Sequence, residues 1–205
     1  MRILNVIVLL SATASVSAVA FRGAAPRQAE TAAQKIVRGA RDEVRRGVTY
    51  DAAYRDLRYP GGDVDRTKGA CTDVVIRSLR TAGYDLQKLI HEDMKKNFRA
   101  YPKKYGLRAP DSNIDHRRVP NQQVFFSRFG KSLPLQTNSG AATSWRPGDI
   151  VTWKLTGGVL DHCGVVTDKI GTSGLPTIIH NLSATAEEDC LTRWKITGHF
   201  RFPKD

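Results

Sequence analysis

Three side chains of this 205-residue chain have the types and the order of a nucleophile with its base: Cys71, His162 and His180. Cys71 stands just before the apolar residues of a predicted helix that ends at Gly83. At a helix N-terminus, the backbone N–H groups and the helix dipole favour the thiolate, which is the form that attacks carbonyl carbons. Cys71 is therefore a candidate nucleophile, although a lone cysteine is also a common small core residue.

His162 and His180 are the candidate base and its helper. His162 opens one predicted strand and His180 lies at the end of the next, so a tight sheet would bring both rings to one edge. One ring can accept the thiol proton while the other holds it in the productive tautomer, as in cysteine hydrolases. A lone histidine is more often a hydrogen-bonded structural residue, so the combination with Cys71 is what favours chemistry.

The elements that must position these residues follow a simple order along the chain. Apolar residues at helical spacing predict a helix from Ala29 to Val44 that ends at Gly47, and a shorter helical pattern begins the segment 50–63, which ends in a Pro-Gly-Gly turn. β-Branched and aromatic segments predict four strands, at 149–155, 163–167, 176–181 and 196–202. Because short turns separate the strands, we expect an α+β fold in which N-terminal helices pack on a C-terminal antiparallel sheet.

The segment 86–131 is strongly basic. Between residues 95 and 131 it has ten Lys and Arg residues against two acidic residues. Helical patterns at 91–98 and 122–129 flank a Pro-rich connector. We interpret the segment as a basic insertion within a single domain of residues 29–205.

The N-terminus has the pattern of a secretory signal. Met1 and Arg2 precede an apolar run from Ile3 to Leu10, and small residues follow as far as Ala20. We expect residues 1–20 to be a cleaved signal peptide and 21–28 a flexible leader, which predicts a periplasmic or secreted protein. The apolar run is short for a bilayer span and no later stretch is comparable, so no stable membrane span is expected after cleavage.

The charge balance restricts the classes of partner. Lys and Arg number 32 against 20 Asp and Glu, which gives a formal net charge of +12. Such a charge attracts polyanions, so an anionic component of the cell envelope is the expected partner. Nucleic acid is not expected, because the chain carries an export signal and no recognised nucleic-acid-binding motif.

Several blocks of the sequence resemble a known family. The order of helix-borne cysteine, strand-opening histidine and next-strand histidine, with residues 145–151 leading into the sheet, resembles the NlpC-type papain-like cysteine peptidases. From about residue 32 to residue 203, the chain more closely resembles the bacterial domain-of-unknown-function family 1287. The blocks that carry this resemblance are Tyr50-Asp51, Tyr59–Asp63, Ala70–Arg77, His91–Met94, Asn113–Pro120, Pro147–Val151, His162, Ile179–Asn181 and Ile196–His199.

The resemblance implies a papain-like fold and a role for each site residue. Cys71 would be the nucleophile, His162 the base and His180 the group that orients it. Asn181 is the alternative third group, because neighbouring strand residues face opposite sides and only one of the two can point inward. Asp73 follows the nucleophile on its helix and is interpreted as a local or substrate-binding carboxylate.

Two further cysteines stand where aliphatic residues are expected in such sequences. Cys163 directly follows the base and should therefore face away from the site. Because export permits disulfides, Cys163 and Cys190 are predicted to form one, with two unrelated buried thiols as the alternative.

A cluster in the basic insertion has two interpretations. Asp115, His116 and Arg117 either anchor the insertion or line a substrate groove, where an arginine can hold a carboxylate with two hydrogen bonds. Together with His91 and Asp93 they also offer imidazole and carboxylate ligands, but the spacing matches no standard zinc motif. We therefore expect no metal and no cofactor.

These observations predict an exported thiol hydrolase that cleaves an amide bond. The resemblance points to the stem peptides of peptidoglycan as its substrate, in either a housekeeping or an antibacterial role. The alternatives are a noncatalytic cell-wall-binding module and an acyltransferase on the same fold, since a fold does not by itself imply an activity.

Overall fold

A computed structural model describes residues 29–138 and 144–204 of the chain. The predicted signal peptide, 1–20, and the predicted leader, 21–28, lie outside the described residues.

Helices dominate the chain before residue 130. They are α1 Ala32–Arg46, α2 Cys71–Thr81, α3 Leu86–Asn97 and α4 Val119–Phe129, with short 3₁₀ turns at 98–100, 104–106 and 115–117. α1 begins where Thr31 Oγ1 accepts a hydrogen bond from the Gln34 N–H at 3.2 Å, and it ends at Gly47, whose φ of 65° suits a residue without a side chain. None of the helices in the described part of the chain has the length and apolar character needed to span a membrane.

The strands form a small pair and a large sheet. β1 Thr49–Tyr50 and β2 Lys68–Gly69 pair in parallel just before α2. The large antiparallel sheet consists of β3 Lys131–Ser132, β4 Ile150–Lys154, β5 Asp161–Ile170, β6 Pro176–Asn181, β7 Thr185–Glu188 and β8 Lys195–Arg201, in the order β3-β8-β4-β5-β6-β7. The predicted α+β fold, with N-terminal helices and a C-terminal antiparallel sheet, is confirmed.

The helices cover one face of this sheet. Alternate residues of β5 and β6, such as Cys163 and Ile179, pack with apolar residues of α2, α3 and α4 in the main core. The intervening residues Val166 and Ile178 pack with Trp153 in a second cluster on the opposite face. Each strand therefore contributes side chains to both faces.

The basic segment 86–131 is built into the core rather than appended to it. Leu86, Ile90 and Phe126 from this segment are buried in the main core. At the surface, Lys104 Nζ lies 2.9 Å from the Oδ2 of Asp161, the first residue of β5. The segment thus reaches the strand that carries His162.

The segment 50–63 is not helical, contrary to its short helical pattern. Asp51 Oδ1 accepts the Ala53 N–H at 2.8 Å, and the Arg117 guanidinium donates to the carbonyl oxygens of Ala53 and Asp51 at 2.8 and 3.1 Å. These bonds occupy backbone groups that a helix would need. The predicted turn is present at 59–61.

Candidate active site

Cys71 is the first residue of α2, and the residues around it explain why the helix begins there. The preceding Ala70 is the N-cap and has no side-chain oxygen with which to bond the first N–H groups of the helix. Asp73 turns back instead, and its Oδ2 accepts the Ala70 N–H at 2.7 Å. The Cys71 side chain therefore lies at a helix N-terminus, as predicted, and the residue is 5% exposed.

His162 and His180 lie on the neighbouring strands β5 and β6 and bond each other. His162 Nε2 and His180 Nδ1 are 2.9 Å apart, and both residues are buried. The Trp153 ring stacks on His162 with 5.7 Å between centroids, and Trp194 lies edge-on to the two histidines at 5.7 and 5.8 Å. A hydrogen bond and two indoles thus hold the imidazole rings and shield them from water.

The Cys71 thiol contacts both His162 and Cys163. Hydrogen bonds to the Cys163 thiol and to the His162 ring lower the pKa of Cys71 to about 5, although burial alone would raise it. Burial and the neighbouring Cys71 raise the pKa of Cys163 well above its usual value. At neutral pH the negative charge is therefore on Cys71, and Cys163 keeps its proton.

The tautomer of His180 is set by its neighbours. Burial and the adjacent His162 lower the pKa of His180 to about 4, so the ring is neutral at pH 7. Its Nε2 lies 3.8 Å from Glu188 Oε2 at the end of β7. A carboxylate on that side favours a proton on Nε2, which leaves Nδ1 to accept the Nε2–H of His162. Because Nε2 of His162 bonds His180, Nδ1 is the His162 ring nitrogen left to bond the Cys71 sulfur.

Cys163 is part of the site, so the prediction that it faces away is wrong. Its side chain lies on the helix-facing side of β5, in the main core with Cys71. The thiol of Cys71, at the start of α2, reaches both this side chain and the preceding His162. Cys163 Sγ also lies 3.9 Å from Gln122 Oε1.

The predicted disulfide between Cys163 and Cys190 is also wrong, because both thiols are free. Cys163 packs in the main core, whereas Cys190 packs in the cluster on the opposite face of the sheet. Side chains that point to opposite faces cannot meet the geometry of a disulfide.

Asp73 and Arg117 form a buried ion pair that supports the start of α2. Arg117 Nε and Nη2 donate to the two Asp73 carboxylate oxygens at 2.9 and 2.8 Å. The same guanidinium bonds the carbonyls of Ala53 and Asp51, and the same carboxylate bonds the Ala70 N–H. Asp73 is therefore a local carboxylate, and Arg117 anchors the fold rather than offering its guanidinium to a substrate.

Asn181 lies on the opposite side of β6 from His180. Its Nδ2 donates to the carbonyl oxygens of Gly69 and Val48 at 2.9 and 3.3 Å. These bonds tie β6 to the chain just before Cys71. The ring that bonds His162 belongs to His180, so His180 is better placed than Asn181 as the third group.

Asp115 and His116 are buried in the 3₁₀ turn before α4. Burial raises the pKa of Asp115 to about 6 and lowers the pKa of His116 to about 3. The Asp115 carboxylate accepts the Asp111 N–H, which anchors the basic segment. Within the described residues, His91, Asp93, Asp115 and His116 bring no three ligand atoms close enough for a metal ion.

Three residues near the site were not singled out from the sequence. Burial and the charge of Cys71 raise the pKa of Tyr50. Glu188 approaches His180, and Trp194 packs on both histidines. Tyr50 belongs to a sequence block that carries the family resemblance, so this block could have identified it as a candidate site residue. The other two depend on strand register and on a loop, for which the sequence has no local pattern.

The sequence matches a known family over most of its length. Residues 37–202 match the model of a family described as "Domain of unknown function (DUF1287)". The chain is also 51% identical over 168 residues to "Uncharacterized protein YijF" of Escherichia coli (strain K12), an alignment that covers 82% of this chain and 80% of that protein. The chain therefore belongs to the DUF1287 family.

Proposed function

We propose that this protein is an exported cysteine hydrolase that cleaves an amide bond in the stem peptides of peptidoglycan. The observation that carries the proposal is the contact of a low-pKa thiol, Cys71, with the hydrogen-bonded pair His162 and His180. Nucleophile, base and orienting group have this relation in papain-like hydrolases. The resemblance of the motif order to NlpC-type peptidases supports the same assignment.

The proton path follows from the tautomers. His162 Nδ1 takes the Cys71 proton, and the resulting imidazolium donates its Nε2–H to the neutral His180 ring. The thiolate attacks the amide carbonyl, His162 passes the proton to the leaving amine, and a thioester forms. Water, deprotonated by His162, then hydrolyses the thioester and regenerates the thiol.

The oxyanion on the attacked carbonyl needs donors beside the thiol. The Cys71 N–H is the first of α2, where N–H groups have no partner within the helix, and Ala70 provides no side-chain cap. We assign this N–H as an oxyanion donor.

Charge supports an acidic substrate. The chain has a formal net charge of +12, and its basic segment reaches the start of β5 through the pair of Lys104 and Asp161. Stem peptides carry free carboxylates, which a basic surface attracts. The predicted signal peptide would deliver the protein to the compartment that holds this substrate.

The test is digestion of purified peptidoglycan by the processed protein, with the released fragments identified by mass spectrometry. The Cys71→Ala variant lacks the nucleophile, so fragment release is expected to fall at least about a thousandfold. The matched control is Ser78→Ala in the same helix, whose hydroxyl bonds the Val74 carbonyl at 2.6 Å and has no role in the proposed site. This variant is expected to keep the wild-type rate.

Two outcomes would contradict the proposal. Equal fragment release by the wild type and Cys71→Ala would exclude a thiol mechanism. No release by the wild type under reducing conditions would exclude peptidoglycan hydrolysis and favour a wall-binding module or an acyltransferase.

A further inference from the structure

His180, Glu188 and Cys190 form a group of potential metal ligands next to the histidine pair. One ligand atom from each lies within 4.8 Å of the others, and His180 Nε2 is 3.8 Å from Glu188 Oε2. His180 and Cys190 are buried, whereas Glu188 is partly exposed. Ligand atoms around a tetrahedral zinc ion are about 3.3–3.8 Å apart, given bonds of about 2.0–2.3 Å. Movements of about an ångström would therefore close the group around an ion.

The buried nitrogen of His180 is a second observation that points to a ligand. Among the described residues, His180 Nε2 has no hydrogen-bond partner, and 3.8 Å to the Glu188 oxygen is too long for a hydrogen bond. A buried imidazole nitrogen without a partner is costly, so native sites usually satisfy it. An ion held between the three side chains would satisfy this nitrogen directly.

We propose that His180, Glu188 and Cys190 bind a zinc ion, with water at the fourth position. Imidazole, thiolate and carboxylate are the ligand types that zinc takes, and a thiolate ligand disfavours magnesium and calcium. Cys190 binds as the thiolate and releases its proton to water. The partly exposed Glu188 provides the path of entry.

Arg193 is the competing cation at this site. Its Nη1 lies 2.6 Å from the same Glu188 Oε2, and its guanidinium lies over the Trp194 ring. Zinc must share the Glu188 carboxylate with this charge, which opposes binding. Replacement of Arg193 by Gln should therefore tighten zinc binding several-fold.

Cobalt(II) is a suitable probe, because its bond to a thiolate gives an intense charge-transfer absorption in the near ultraviolet. Titration of the reduced protein with Co²⁺ is expected to produce this band in the wild type and equally in Cys71→Ala. The band is expected to be lost in Cys190→Ala and weakened in Glu188→Gln, and Zn²⁺ is expected to abolish it by displacement. Arg193→Gln should reach half-saturation at a several-fold lower Co²⁺ concentration.

The opposite pattern would overturn the proposal. A band that persists in Cys190→Ala and disappears in Cys71→Ala would place the metal on the nucleophile, and no band in the wild type would exclude a thiolate site. If Cys190→Ala fails to fold, the partly exposed Glu188→Gln decides, because unchanged Co²⁺ affinity in that variant also overturns the site.

The Co²⁺ absorption does not need peptidoglycan hydrolysis, so failure of the metal site and failure of the hydrolase assignment are distinguishable.

Discussion

Cys163 sets the acidity of the neighbouring thiol. Hydrogen bonding with the Cys163 side chain is the first cause of the low pKa of Cys71, and the His162 ring lowers the pKa further. The helix N-terminus and an imidazole are common means of stabilising a thiolate. Here a second cysteine adds a hydrogen-bond donor at a position where an aliphatic residue is expected, which gives Cys163 a chemical role in place of the predicted disulfide.

Cys163→Val removes this donor and keeps an apolar side chain in the core. The pH at which Cys71 alkylation reaches half its maximal rate is expected to rise from about 5 by about one to two pH units, because a hydrogen bond to a charged group contributes about 1.5–3 kcal/mol. The measurement is the rate of iodoacetamide labelling as a function of pH, with the labelled peptide identified by mass spectrometry. The Ser78→Ala profile should follow the wild type, and coincidence of the Cys163→Val and wild-type profiles would refute the role of Cys163.

Among the elements, those with a strong periodic pattern were predictable, including α1, α2 and the central strands. β7 was not, because its four residues Thr185–Glu188 lack an apolar alternation. The register of β6 and β7 pairs Ile178 with Glu188 and His180 with Ala186, which makes Glu188 the diagonal neighbour of His180. That contact follows from register, which only the assembled sheet determines.

The sequence was enough to identify which residues belong to the site, but not which of them contact each other. Alternation along β6 showed that His180 and Asn181 face opposite sides, yet it could not tell which side faces His162. Likewise, the contact of Cys163 with Cys71 depends on where α2 lies over β5. These relations belong to the packing of whole elements, so a local sequence pattern carries no information about them.

The 3₁₀ turn at 115–117 supports the start of α2 and contains a carboxyl with a high pKa. Thr72 Oγ1 donates to the Arg117 carbonyl at 3.2 Å, which joins the turn to the helix. Burial raises the pKa of Asp115 from its ordinary 3.8 to about 6. Between pH 3.8 and 6, the Asp115 carboxyl keeps its proton in the folded protein but loses it in the unfolded chain. The proton therefore stabilises the folded state fully below pH 3.8, and this stabilisation is lost as the pH rises through 6.

The Asp115→Asn side chain stays uncharged at every pH, so the variant should not lose stability as the pH rises through 6. The difference in unfolding free energy, variant minus wild type, is expected to increase by about 2 kcal/mol between about pH 4 and about pH 7. Urea denaturation at several pH values measures it. Asp56→Asn, at an exposed position, is the control and should show no such increase. Parallel stability curves for Asp115→Asn and the wild type would contradict the raised pKa.

On the scale of the whole molecule, the positive charge is unevenly distributed. Ten Lys and Arg residues face two acidic residues between positions 95 and 131. Some of these cations are used inside the fold, as Arg117 is by Asp73, whereas Lys95, Lys96 and Lys103 are exposed. The exposed members form a charged surface on the segment that reaches the strand of His162, so we expect this surface to attract the anionic wall.

Binding to the wall should therefore be electrostatic and should depend on this surface. Retention of the Cys71→Ala protein on isolated sacculi is expected to fall steeply as salt rises from about 0.05 to about 0.5 M, because screening shortens the reach of exposed charges to about 4 Å. The triple variant Lys95→Glu, Lys96→Glu, Lys103→Glu should bind at least about tenfold more weakly at low salt and show a flatter salt dependence. A matched triple variant has the same change at exposed positions outside the segment: Lys169→Glu, Lys195→Glu and Lys204→Glu. Equal losses in the two triple variants would assign binding to net charge alone, and salt-independent retention would rule out the electrostatic account.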